Sequence, residues 1–365
     1  MVGLFTASIG HTLACHLFSG VVFILALIQS ASAHFALHRL NANNNVITTS
    51  PPSRVPSTGN LHLQNGGVNR GVDLTDNLQY FDNGVVKLGI DLTRGGSIGF
   101  FGASGNNTNN LVNCHDMGRE IQLSFYSGPT FYNPGNKCNK LFMHQEWPWN
   151  PIGAGDVKGN HGTINSFSII NSSTAHVNTT PLQWACDNVP CECEFDQTIT
   201  LGGPANTGAK IDAVLYNHRS DTTSYPPRAQ ELPAVYSNGE FYRLVTVQNG
   251  TLTELNASFD PSRSFPWIPG AFTAEENWAA LVNKDGYGMG VVNFETTSFI
   301  GGFSDPSKKG SGGSFDPQTG YIAPVKDVVI PGNGTYNYTF YLVLGDVSTI
   351  RAYANQVRPE SNSKV

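Results

Sequence analysis

Close to its C-terminal end the chain reads YNYTFYLVL, residues 336–344. Tyr336, Tyr338, Phe340, Leu342 and Leu344 fall at every second position, with Asn337, Thr339, Tyr341 and Val343 between them. A period of two is the repeat of an extended strand with one face turned inward. Related runs recur along the chain: VVKLGIDL (85–92), SIGFFG (97–102), REIQLSFY (119–126), INSFSII (164–170), FDQTITL (195–201), KIDAVLY (210–216), FYRLVTV (241–247), WAALVN (278–283) and YGMGVVNF (287–294). Asp82-Asn83-Gly84 and Lys284-Asp285-Gly286 between them suit tight hairpins that need positive φ. Only VSTIRAYANQV (347–357) reads as a helix, with Asp346 or Ser348 as its cap. No solenoid or propeller period is present. The pattern predicts an all-β protein, a large antiparallel β-sandwich with one short C-terminal helix.

The ends read differently. Leu17 to Ile28 is an apolar run followed by Ala31-Ser32-Ala33, the layout of a secretory signal peptide over residues 1–33; an uncleaved anchor is the rival, since no Lys or Arg precedes the run. Residues 34–72, rich in Asn, Ser, Pro and Gly, read as a flexible leader. The expected β-sandwich domain is 73–358, and 359–365 a loose tail. Seven Asn-x-Ser/Thr sequons, at Asn106, Asn171, Asn178, Asn249, Asn256, Asn333 and Asn337, fit a secreted, extracellular glycoprotein. Outside the signal peptide stand Cys114, Cys138, Cys186, Cys191 and Cys193, an odd number of disulfide candidates. The expected pairs are Cys114 with Cys138, and Cys186 with Cys191 or Cys193. The spacing C-x4-C-x-C leaves a metal site as the alternative.

Net charge is −6 with 13% charged residues, which leaves no nucleic-acid stripe and no polybasic membrane patch. No phosphate-binding glycine loop, G-x-S-x-G elbow or H-E-x-x-H is present. No cofactor is expected; loops of this kind can take calcium, but no EF-hand ligand string supports it.

Four segments carry more polar and aromatic residues than packing needs. In NCHDMGREIQLSFYSGP (113–129), Arg119 leads a strand whose Ile121, Leu123 and Phe125 share its face, and it holds either Asp116 or a substrate group. In HQEWPWNPIGAGD (144–156), Trp147 and Trp149 stand on a proline-stiffened loop beside His144 and Glu146, suited to the C–H faces and hydroxyls of a sugar. In RAQELPAVYSNGEFYRLVTV (228–247), Glu231 precedes an apolar strand carrying Tyr236, where burial would raise a carboxyl pKa. In FPWIPGAFTAEENWAALVN (265–283), Glu276 has the parity of Trp278, and Trp267 repeats the proline-flanked aromatic.

With GGSIGFF, LVNCHDMGREIQLSFYSGP, QELPAVY and ENWAALVNKDGYGMGVV in view, the stretch from about 77 to 346 resembles the galactose mutarotase-like β-sandwich superfamily of secreted carbohydrate-active proteins. The resemblance implies that fold. It makes Arg119 the match to the sugar-binding arginine of the epimerases and Glu276 the match to their late glutamate base, while their histidine segment has no counterpart.

The expected function is cleavage of a polysaccharide. A glycosidase would use Glu231 and Glu276 as acid and base or nucleophile; a lyase would use His144 or a tyrosine as base and Arg119 against a uronate carboxylate. Trp147, Trp149, Trp267, Glu146, Asp116 and Tyr236 would line the binding surface. The alternatives are a non-catalytic glycan-binding or matrix protein and, more remotely, a sugar epimerase.

Overall fold

A computed structural model describes residues 77–106, 109–138, 149–255, 270–304 and 309–359. Among them the strands form two large antiparallel sheets and one small pair. The first sheet holds β1 (Leu78–Asp82), β2 (Val86–Asp91), β3 (Ser97–Ala103), β4 (Ile121–Gln122), β11 (Arg228–Glu231), β12 (Ala234–Asn238), β15 (Phe272–Thr273), β18 (Ser298–Phe303) and β19 (Thr319–Val328). The second holds β6 (Thr163–Asn171), β7 (Thr174–Thr180), β9 (Cys193–Gly202), β10 (Gly208–His218), β13 (Arg243–Gln248), β14 (Thr251–Leu255), β16 (Trp278–Val282), β17 (Tyr287–Val292) and β20 (Asn333–Asp346), and β5 (Pro151–Ile152) pairs with β8 (Leu182–Gln183). The expected all-β sandwich with one short C-terminal helix is the observed architecture. No described helix is long and apolar enough to cross a membrane.

The core lies between the sheets because both present period-two apolar faces to it. Leu88, Ile90, Ile98, Phe101, Val235 and Ile322 from the first meet Ile199, Ile211, Leu281, Val291, Phe340 and Leu342 from the second. In β20, Tyr338, Phe340, Leu342 and Leu344 point into this core, whereas Asn337 is exposed. The outer face of the second sheet is covered in part by α1 (Val347–Val357), whose Ile350, Tyr353 and Ala354 pack on Val245, Trp278, Val292 and Val343. Asp346 caps α1, its carboxylate accepting from the Thr349 N–H at 2.7 Å, and Gly84 and Gly286 take the positive φ their turns require.

The cysteines pair otherwise than expected. Cys138 joins Cys186 and Cys191 joins Cys193. Cys114 is a free, buried thiol, its expected partner Cys138 being bonded to Cys186, and its Sγ lies 3.0 Å from the Gly99 carbonyl. The C-x4-C-x-C run is thus disulfide-bonded, and no described group of three His, Cys, Asp or Glu is placed to hold a metal ion. Of the sequon asparagines, Asn106, Asn171, Asn249, Asn333 and Asn337 are exposed; Asn178 is half-buried, its amide donating to Glu194 and Asp196. Asn256 lies outside the described residues, as do 1–76 and 360–365.

Candidate functional site

The outer face of the first sheet is where polar side chains gather. In register, Tyr236 of β12 stands opposite Tyr321 of β19, and Glu231 of β11 opposite Val325 of β19. Cross-strand partners share a face, so Tyr236, Tyr321, Ala323, Val325 and Glu231 all point away from the core. Ala234, Ile300, Ala323 and Val325 give this face an apolar floor. Tyr236 packs on Tyr321 with ring centroids 4.8 Å apart.

Glu231 is 8% exposed, with both carboxylate oxygens engaged. Tyr126 donates to Oε2 at 3.2 Å and Tyr321 donates to Oε1. Burial raises its pKa above the ordinary carboxylate range, against the pull of the Tyr321, Tyr126 and Ser124 hydroxyls. Burial also pushes the phenols of Tyr126, Tyr236 and Tyr321 well up, so all three stay protonated at neutral pH. Gln230 fixes one arm of this arrangement. Its amide accepts from Tyr126 N–H at 2.8 Å and donates to Tyr126 C=O at 2.9 Å, a two-point clamp that aims the Tyr126 ring at Glu231.

Arg119 and Asp116 lie beyond Tyr236, whose phenol senses Glu231, Arg119 and Asp116 electrostatically. Arg119 Nε is 3.2 Å from Asp116, and Nη1 donates to the Pro317 carbonyl at 2.9 Å. Arg119 does not share a face with Ile121, Leu123 and Phe125 as strand parity predicted. Glu120 between them has φ 76°, a left-handed turn of the chain that breaks the alternation. Glu120 therefore points inward and pairs with Arg94 at 2.8 Å, while Arg119 stays at the sheet's outer margin.

Two expectations fail here. Glu276 does not join Glu231. It lies on the other side of the sandwich, beside Trp278 and α1, where Arg351 donates to it through Nε at 2.8 Å and Nη2 at 2.5 Å and the Trp278 indole donates at 3.0 Å. The hydrogen bond from Arg351 holds its carboxyl below the usual range. Trp149 is no sugar platform: it is 1% exposed and meets Phe125 edge-on at 5.1 Å inside the core. His144, Glu146, Trp147 and Trp267 lie outside the described residues. Arg119, Asp116, Glu231 and Tyr236, read from separate segments, are brought to one face. Tyr126 and Tyr321 were not anticipated; Tyr321 carried no signal beyond strand parity, and Tyr126 was legible only as the end of REIQLSFY.

An interior void beside Gly95, Leu123, Phe195 and Gln197 measures about 10 Å3, room for at most one water.

No protein-family model matches the chain, and no curated protein matches it. Solved structures similar to it include a galactose mutarotase-like protein from Lactobacillus casei (11% identity, 73% of this chain and 99% of that one, TM-score 0.44). A galactose mutarotase related enzyme from Lactobacillus acidophilus gives 8% identity over 73% of this chain and 97% of that one, TM-score 0.44. A 4-alpha-glucanotransferase from Thermococcus litoralis gives 10% identity over 73% of this chain and 37% of that one, TM-score 0.40. At these identities and with TM-scores below 0.5, the comparisons say what the chain is similar to and nothing of what it does.

Proposed function

We propose that the chain is a secreted carbohydrate-active enzyme working on the outer face of the first sheet, and that it cleaves a uronate-containing polysaccharide by elimination. The observation that carries this reading is the grouping of one buried, proton-avid carboxylate, three protonated phenols and one arginine on a single face. Hydrolysis through Glu231 and Glu276 would need both carboxylates at one glycosidic bond, and Glu276 is held by Arg351 on the opposite side. Elimination needs one base, one acid and one cation.

In this reading the Arg119 guanidinium faces the uronate carboxylate and offsets the charge that builds there as the neighbouring C–H is ionised. Glu231, with its proton affinity raised by burial, takes that C5 proton. The electron pair forms the C4–C5 double bond as the glycosidic C4–O bond breaks, and the Tyr236 phenol donates its proton to the leaving oxygen. Tyr126 and Tyr321 hold Glu231 in place.

A non-catalytic glycan-binding protein is the second reading, favoured by the fact that both Glu231 oxygens already accept hydrogen bonds. Incubating the protein with uronate-rich and neutral polysaccharides separates the two. Unsaturated-uronate absorbance that disappears in Glu231→Gln supports elimination. New reducing ends without that absorbance overturn it in favour of hydrolysis, and retention on the polysaccharide without products leaves the binding reading.

A further inference from the structure

We infer that the buried Arg94 is a positioning residue, which fixes the 113–120 turn so that Arg119 stands at the outer margin of the first sheet; its consequence for turnover rests on the elimination reading of that face. Arg94 lies in the turn between β2 and β3 and is 6% exposed. A cation withdrawn from water needs acceptors. Arg94 Nη1 donates to Glu120 Oε1 at 2.8 Å and to the Cys114 carbonyl at 3.0 Å, and it reaches the Asp116 carbonyl at 3.5 Å. Its Nε lies 3.7 Å from Asp91. One guanidinium nitrogen thus gathers acceptors from the start, the middle and the end of the turn that carries Asp116 and Arg119.

Glu120 is the point on which the turn pivots. Its N–H donates to the Asn113 carbonyl at 2.8 Å and its carbonyl accepts from the Tyr236 N–H at 3.0 Å, so its backbone joins the turn to the strand that carries Tyr236. A φ of 76° is costly for a residue with a Cβ and persists only where the surroundings impose it. The side chain is fully buried, and Oε2 has no hydrogen-bond partner among the described residues. The bond from Arg94 to Oε1 is therefore what draws the side chain inward. That oxygen accepts whether the carboxyl is ionised or protonated, so the hold does not depend on the charge of Glu120.

The reversal at Glu120 decides where Arg119 goes. On an extended chain, period two would put Arg119 on the side of Ile121, Leu123 and Phe125, all of which are core residues. With Glu120 turned in, Arg119 is turned out, and its guanidinium meets Asp116 at 3.2 Å, the Pro317 carbonyl at 2.9 Å and Asn113 Oδ1 at 3.3 Å. Arg94 touches none of these three side-chain contacts of Arg119. It acts through the conformation of Glu120, and so orients the cation of the outer face from the buried side of the turn.

The test is kcat/KM of the full chain on a uronate-rich polysaccharide, read as unsaturated-uronate absorbance and expressed per folded molecule. Glu120→Ala removes the acceptor and keeps a Cβ at the left-handed position; it is expected to lower kcat/KM by about ten-fold or more. Glu120→Gln keeps the Oε1 acceptor and should restore most of that loss, and Arg94→Met should match Glu120→Ala. In an Arg119→Gln background Glu120→Ala should cause no further loss, because both changes remove the action of one guanidinium, whereas general damage to the fold would add in either background. Wild-type kcat/KM in folded Glu120→Ala, equal losses in Glu120→Ala and Glu120→Gln, or additive losses with Arg119→Gln would each overturn the inference. If Arg94→Met does not fold, the two Glu120 variants decide. If the wild type forms no unsaturated product, the elimination reading falls, and a crystal structure of Glu120→Ala decides the positioning role by itself. Arg119 displaced from Asp116 and the Pro317 carbonyl sustains that role; Arg119 held at its wild-type distances overturns it.

Discussion

Both outer faces of the sandwich carry a buried or half-buried glutamate next to an aromatic ring, and physics treats them in opposite ways. On the first sheet Glu231 meets phenols and, among the described residues, no cation at contact distance, and burial raises its pKa. On the second sheet Glu276 meets Arg351 in a two-point ion pair, which lowers its pKa. The first arrangement stores proton affinity, while the second fastens α1 to the sheet through Arg351. A carboxylate's role is thus set by the partner its fold supplies, and a glutamate beside an aromatic in sequence does not announce which.

The sharpest break in this comparison is removal of each acid in turn. Glu231→Gln is expected to lower turnover by about 10²–10⁴-fold, the range of a lost acid–base group, while Glu276→Gln keeps wild-type turnover and loses some Tm. Equal activity losses in the two variants would erase the distinction. Next in size, Trp278→Ala on the covered face should cost about 3–5 kcal/mol of stability in chemical denaturation, with turnover per folded molecule unchanged. Tyr321→Phe removes a hydrogen bond that favours ionised Glu231. Its expected effect is about a ten-fold rate loss and a rising limb of the pH–rate profile displaced to higher pH. A shift to lower pH would mean that Tyr321 does not stabilise the charged form.

The smallest effect is on stability against pH, and its sign differs between the faces. Glu231 has a raised folded pKa. Its contribution is full below the unfolded value of about 4.3 and is lost as pH rises through the folded pKa. Glu276 has a depressed folded pKa, so its contribution is present above that unfolded value and lost as pH falls through the folded one. The Tm advantage of Glu231→Gln over wild type should therefore grow from pH 4 toward neutrality, and the deficit of Glu276→Gln should shrink on acidification. Parallel Tm curves for the three proteins would contradict this assignment.

Period two made the sandwich legible. The alternation in YNYTFYLVL sorted inward from outward residues correctly, and Asp346 was readable as the cap of the α-helix at 347–357 because a short acceptor preceded a run with helical spacing. The same rule misplaced Arg119, since a single left-handed residue at Glu120 reverses parity and Glu carries no sign of positive φ. Sheet membership was invisible: Glu231 ends one strand and Glu276 precedes another, but only the strand order reveals that the strands belong to different sheets. Cys114 misled for the same reason. Its spacing to Cys138 was convenient, but Cys138 pairs with Cys186 and leaves Cys114 a free thiol.

The most direct measurement is a crystal structure of Glu231→Gln soaked with an oligogalacturonate. The account predicts a sugar lying over Tyr236, with its carboxylate at Arg119 and its C5 toward residue 231. Saccharide density over α1 and Glu276, or elsewhere on the molecule with the first sheet's outer face bare, would contradict it.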